Sequence, residues 1–235
     1  MHILVIDGEH VEAEFRQKFG LVHEYSHFTT GFTNSVTPAQ RLLEIQAVAQ
    51  GADVVFCCKA TPALGLFSSL GLPVFVEASC VSLPESLGPE PETVVPTAPL
   101  FGFCGLPTLL NRALLEVSLQ HEADRPKLAD VCAALGTDYR VVEDRIGLVT
   151  PRVICQIINE ACYTVQEGTA SMQDIDLGMK LGTNYPRGPF AWANALGVER
   201  VYAVLEALWN DTHDERYKVC PLLKRQALRG EPFAV

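Results

Sequence analysis

A chain of 235 residues with 48% apolar content has the length and hydrophobic material for one large packed domain or two small ones. A formal charge of −10 and a pI near 5.0 exclude the concentrated basic surface that nucleic-acid binding requires. No uncharged apolar run approaches the ~18 residues of a membrane span, and the N-terminus reads as a strand, not a signal peptide, so the expected location is cytoplasmic with no membrane partner.

In chain order, Ile3 to Ile6 reads as a buried parallel strand running straight into a helix from Val11 to Phe19, the opening of a dinucleotide-binding fold. "LVHEY" reads as a second strand, and "TPAQRLLEIQAVAQG" as a helix with Gly51 at its end. "ADVVFCC" is a strand, "TPALGLFSSLG" a short helix with Pro62 in its first turn, and "LPVFVEAS" another strand. After the proline-rich loop "PESLGPEPETVVPTAP" come strands "LFGFC" and "RALLEVSL", a helix from Ala123 to Leu135 and a strand "YRVVED". This alternation predicts a parallel α/β sheet over residues 1–144.

From residue 145 onward the pattern is helical. "LVTPRVICQIINEACYTVQEG" carries apolar residues at helical spacing, and Ser171 with Asp174 forms a capping box before "MQDIDLGMKLG". The turn "NYPRGP" separates these from the helices of "FAWANALGVERVYAVLEALWN". The eight cysteines form no C-x-x-C pair and lie mostly in apolar runs, which suits buried reduced thiols and neither a disulfide framework nor a zinc site.

Three motifs bear on chemistry. The turn after the first strand reads D-G-E-H-V-E, so Gly8 is the one glycine kept for a cofactor, while Asp7, Glu9 and Glu12 stand where a pyrophosphate would lie. Lys59, Arg112, Arg152, Lys180 and Arg187 could help a phosphate locally, against the simpler reading of solvated surface charge. "HEYSH" matches the zinc-protease pattern H-E-x-x-H, with Glu24 as a base. Its β-type context places His23 and His27 on a strand, about 13 Å apart, too far for one ion.

The stretch "NEACYTVQEGTASMQDIDLGMKLGTNYPRGPFAWANALG" resembles the C-terminal domain of the 3-hydroxyacyl-CoA dehydrogenases, in N-E-A, D-I-D-x-G-M-K-L-G and Y-P-R-G-P-F. "ADVVFCCKAT", "LPVFVEASCVSLPES" and "LFGFCGLPTLLNRALLEV" are more weakly similar to the same family's NAD-binding domain. The resemblance implies a shortened Rossmann-like sheet domain, lacking the helical hairpin that projects toward CoA, followed by a small helical domain. It also implies NAD as cofactor, an acyl-CoA ligand, a role in fatty-acid metabolism and a homodimer built through the helical domain.

Carried over residue by residue, the family's catalytic histidine falls on Cys104 and its orienting glutamate on Glu116, twelve residues further on. The family's serine falls on Val81, with Ser82 beside it as a substrate-cleft candidate. Its asparagine falls on Pro151 with Arg152 retained, and its acidic residue near the cofactor falls on Thr61. A thiol is mostly protonated at pH 7, and a carboxylate nearby raises its pKa further, so Cys104 is a poor base. Valine and the proline nitrogen offer no donor. Carboxylates at the phosphate turn oppose the helix dipole and the ligand's own charge. The expectation is therefore a degenerate dehydrogenase with NAD binding and standard catalysis weakened or lost, serving as an acyl-CoA-binding or assembly module. The competing expectation is an active NAD-dependent enzyme whose base is another group, such as His10 or His27.

Overall fold

The computed structural model describes residues 1–31, 38–59, 64–87 and 98–235. Thr37, Thr61, Pro62 and most of the proline-rich loop lie outside the described residues. The chain divides into two compact units, residues 1–105 with 109–148, and residues 106–108 with 149–235.

The first unit holds one seven-stranded sheet: β1 (His2–Ile6), β2 (Glu24–Phe28), β3 (Val54–Cys57), β4 (Val74–Glu77), β5 (Leu100–Phe103), β6 (Leu114–Leu119) and β7 (Asp138–Val141), in the order β2-β1-β3-β4-β5-β6-β7. The helices are α1 (Glu12–Phe19), α2 (Pro38–Ala49), α3 (Leu64–Ser69), α4 (Leu83–Leu87) and α5 (Arg125–Leu135). Strands β1 to β5 run parallel as expected. Strand β6 joins β5 antiparallel, and β7 then runs parallel to β6, so the sheet is mixed. The cause is the connection between Phe103 and Leu114, which contains no helix; a parallel return needs a crossover, and a helix-free link reverses the chain.

Alternation along the strands sorts side chains onto two cores. Phe15 of α1 meets Phe56 edge-on at 5.1 Å, and Phe56 stacks on Phe75 at 4.6 Å, with Phe103 closing the cluster. The opposite face buries Leu4, Ile6, Val55, Cys57, Val76 and Phe67. The second strand lies three residues later than expected, because Leu21 and Val22 form an exposed turn and His2 pairs with Glu24. The first helix begins as a 3-10 turn over Glu9–Val11 before α1.

The second unit packs α6 (Thr150–Gln166), α7 (Met172–Gly182), α8 (Pro189–Leu196), α9 (Val198–Thr212) and α10 (Pro221–Arg229). Ile154, Ile158, Cys162, Val204, Leu205 and Leu223 are among its buried side chains. Helix α10 was not among the expected elements. Ser171 caps α7, its Oγ accepting from the Asp174 N–H at 3.1 Å. No helix among the described residues is long and apolar enough to cross a membrane.

The motif residues of this unit act as clamps. Asp176 of α7 is buried, and its two oxygens accept the Phe190 and Ala191 N–H groups at 2.8 and 2.9 Å, capping α8 from a neighbouring helix. A Cβ on Gly188 would sit 2.5 Å from the Asp176 Cα, so that approach requires glycine. Asn159 donates to the Lys218 carbonyl at 3.0 Å and accepts from the Cys220 N–H at 2.8 Å. Asn194 donates to the Phe233 carbonyl at 2.9 Å and accepts from its N–H at 2.7 Å.

Candidate functional site

In an open parallel sheet, ligands bind beyond the carboxyl ends of the strands where the strand order reverses. Here that point lies between β1 and β3, where Asp7 and Gly8 leave β1 and Cys58 leaves β3. Gly8 is held by sterics: an added Cβ would meet Val5 Cγ1 at 2.3 Å and Cys58 Sγ at 3.2 Å. Asp7 has φ of 53°, the left-handed conformation a glycine would adopt for free. It is buried and accepts the Thr30 N–H at 2.7 Å as well as the Thr30 hydroxyl. Glu9 accepts the Thr29 hydroxyl, and that bond, with Lys59 adding a weaker attraction, holds its carboxyl below the usual carboxylate range.

The turn is thus closed by its own carboxylates, laced to the two threonines that follow β2. A pyrophosphate needs free N–H groups and room where Asp7, Glu9 and Glu12 stand. The residues present do not fit a dinucleotide phosphate. Of the two alternative bases, His27 faces Glu12 at 3.6 Å, and His10 lies in the 3-10 turn beside Glu9.

A second cluster lies at the ends of β4 and β5. Glu77 Oε1 accepts the Ser79 N–H at 3.1 Å and the Gly105 N–H at 3.4 Å, and burial pushes its carboxyl above the ordinary range. Ser79 Oγ donates to Cys104 Sγ at 3.8 Å. The β5–β6 register pairs Gly102 with Ser118 and Phe103 with Val117, where the ladder ends; Cys104 follows β5 and Glu116 lies within β6. Burial and the Glu77 charge push the neighbouring Cys80 thiol up to about 12, and Cys58 is raised by burial first, then by the adjacent Cys57 and by Glu77. These are protonated thiols, poor as nucleophiles and as metal ligands. Among the described residues no group of His, Cys, Asp and Glu is arranged to hold a metal ion.

Ser82 and Arg152 are engaged elsewhere. Ser82 is the cap of α4: its N–H and Oγ both donate to Glu85 Oε2 at 2.8 Å, half of a capping box. Those bonds keep the Glu85 carboxyl below its usual range. Arg152 donates to the buried Tyr217 hydroxyl at 2.6 Å and lies over its ring, while Pro151 is buried in the first turn of α6. Lys59, Lys180 and Arg187 are exposed. His23 precedes β2 and contacts the Leu135 carbonyl, while His27 lies within the strand, as the β-type reading of "HEYSH" requires. Sequence reading missed Glu77, Asp144, Thr29 and Thr30. Asp144 accepts from the Leu83 N–H at 2.9 Å and the Ser118 hydroxyl at 2.8 Å. The available signal was a lone carboxylate ending an apolar run, as in "VFVE".

Comparison with known proteins agrees with this architecture. Residues 147–232 match the family model described as 3-hydroxyacyl-CoA dehydrogenase, C-terminal domain. Over 87 residues, 37% of this chain, the sequence is 46% identical to the 3-hydroxyadipyl-CoA dehydrogenase of Escherichia coli K12. Over 98 residues, 42% of the chain, it is 35% identical to a 3-hydroxybutyryl-CoA dehydrogenase of Bradyrhizobium diazoefficiens. The matched stretch spans only 18% and 33% of those relatives. The fold agreement is wider. The (S)-3-hydroxybutyryl-CoA dehydrogenase of Ralstonia eutropha superposes with a TM-score of 0.68 over 97% of this chain and 94% of that one, at 19% identity. Mycobacterium tuberculosis FadB2 does so with a TM-score of 0.73 over 97% and 93%, at 16% identity. The class is therefore a sheet domain of mixed strand direction followed by an all-helical domain. The chain is homologous to the 3-hydroxyacyl-CoA dehydrogenases, with the sequence match carried by its helical unit.

Proposed function

We propose that this protein is a divergent relative of the NAD-dependent 3-hydroxyacyl-CoA dehydrogenases that has given up standard dinucleotide binding and acts as an acyl-CoA-binding or assembly module. The observation that carries this reading is the β1 turn, where Asp7 and Glu9 are bound to Thr30 and Thr29 in the place a pyrophosphate needs. Cys104 in place of a base fits the same reading, since a thiol cannot take a hydroxyl proton at neutral pH as an imidazole does. The helical unit keeps its clamps, and it exposes Val149, Val153, Leu177 and Leu181 beside an apolar cavity of about 640 Å³ lined by Ile157, Ala161, Ile175 and Met179. That surface favours a homodimer built through this unit, and the free, mostly buried thiols suit a cytoplasmic setting.

Calorimetric titration tests the reading. With 3-hydroxybutyryl-CoA as probe, saturable heat is expected; with NADH, none is expected up to millimolar concentration. Micromolar NADH binding would overturn the proposal in favour of an active dehydrogenase with a reshaped site. That second reading is supported by the position of Glu116 in β6, beside the strand that Cys104 follows.

A further inference from the structure

Among the described residues strand β2 ends the sheet, and its pairing leaves one row of backbone groups outward. The inward row is spent on β1 and its extensions: the Glu24 N–H donates to the Met1 carbonyl at 3.0 Å, and the Phe28 carbonyl accepts from the Asp7 N–H at 2.9 Å. In a parallel ladder alternate residues point their N–H and C=O to one side, so Glu24, Ser26 and Phe28 face β1 while Tyr25 and His27 face away. Among the described residues no backbone partner faces Tyr25 or His27. His27 is an exposed residue although its side chain is only 26% exposed, so the exposure lies on its backbone. The strand carries neither the lysine nor the proline with which edges are commonly protected.

We infer that β2 pairs antiparallel with β2 of a second copy of this chain, about a two-fold axis at Ser26, which joins the two sheets into one. The register is self-complementary. Tyr25 lies opposite the partner's His27 and exchanges both backbone bonds with it, the same happens on the other side of the axis, and Ser26 meets the partner's Ser26 in the non-hydrogen-bonded position between them. The charges agree. On the Tyr25 and His27 face, Arg16 lies over the Tyr25 ring at 4.9 Å and Glu12 faces His27 at 3.6 Å. The two-fold therefore brings Arg16 level with the partner's Glu12, twice, and sets no like charges opposite each other on this face. Leu21 and Val22, 81% and 83% exposed, fall opposite the partner's Gly31 and Thr30 and gain cover from the pairing. This surface belongs to the sheet unit and is independent of any contact made by the helical one.

Residues facing each other in a non-hydrogen-bonded pair have Cα atoms about 4.5 Å apart, within disulfide range. Ser26→Cys is therefore expected to give a covalent dimer under mild oxidation. Leu21→Cys, with its own two-fold mate about 34 Å away by strand spacing, is expected to give none. His27→Pro removes an outward N–H and no bond within the sheet, so native circular dichroism with a lower mass by light scattering is expected, whatever contact the helical unit keeps. Failure of Ser26→Cys to cross-link while its thiol titrates, or equal cross-linking of Leu21→Cys, overturns the inference. So does an unchanged mass for folded His27→Pro. None of these outcomes bears on CoA or NADH binding.

Discussion

Replacing Asp7 by glycine separates the two roles of that residue. The carboxylate accepts two bonds from Thr30, one from the backbone and one from the hydroxyl, inside a buried site. Bonds to a charged acceptor contribute about 1.5–3 kcal/mol each. Glycine returns about 1–2 kcal/mol by relieving the left-handed conformation at φ of 53°. It costs about 0.5–1 kcal/mol in added freedom of the unfolded chain. The net expectation is a loss of roughly 1.5–6 kcal/mol, which for a domain of this size lowers Tm by about 5–18 °C. Urea unfolding followed by far-ultraviolet circular dichroism measures it. A cycle with Thr30→Val isolates the pair, with a coupling of at least about 1 kcal/mol expected. A neutral or stabilising Asp7→Gly, or additive double mutants, would refute the clasp and with it the argument that the phosphate position is already filled.

Three further outcomes follow from the same geometry. Asp176→Ala leaves two buried N–H groups at the start of α8 without partners, an expected loss of about 3 kcal/mol; both tryptophans, Trp192 and Trp209, lie in the helical unit, so fluorescence reads that unit alone, and a loss under about 1 kcal/mol would contradict the cap. Glu77 has its carboxyl raised by burial, so its contribution to stability is fully present below the unfolded carboxylate pKa near 4.5 and declines as pH rises through the folded value. Glu77→Gln should therefore gain Tm over the parent as pH rises above the unfolded carboxylate range, levelling once the folded carboxyl has ionised, and a pH-independent difference would remove the explanation. Ser82→Ala removes the hydroxyl bond to Glu85 and leaves the backbone one, so a loss of about 0.5–1 kcal/mol is expected. Glu85, depressed first by the Ser82 N–H and then by its hydroxyl, contributes stability above the ordinary carboxylate pKa that fades as pH falls through its folded value, so the variant should only partly flatten the acid side of the stability profile and leave CoA-ester binding unchanged.

The regular elements were legible where periodicity and punctuation agree. The helix ending at Leu135 before Gly136, the apolar strand at Val54–Cys57 and the Ser171 cap are local signals, and the structure reproduces them. The reversal at β6 was not legible, because strand direction depends on what the intervening chain can span, and "RALLEVSL" looks the same in either sense. The site was half legible. The family resemblance pointed to Cys104 and Glu116, and the structure puts the first just past the end of β5 and the second in the neighbouring β6. The Thr29–Thr30 clasp joins residues 20 and 23 positions apart, so nothing local announced that the acidic turn would find its partners after the second strand. Likewise, Ser82 looked like a cleft residue until Glu85, three positions on, proved to be its partner.

The Asn194 clamp has a consequence for how this protein can be damaged. A single side-chain amide reads both backbone groups of Phe233, whose ring packs on Phe190 at 5.0 Å. Deamidation of Asn194 to aspartate would keep the oxygen that accepts from the Phe233 N–H and replace the nitrogen that donates to the Phe233 carbonyl with a second acceptor. One slow chemical event would thus set two acceptors against each other and loosen the Phe233 ring from Phe190, a form of ageing confined to the base of α8.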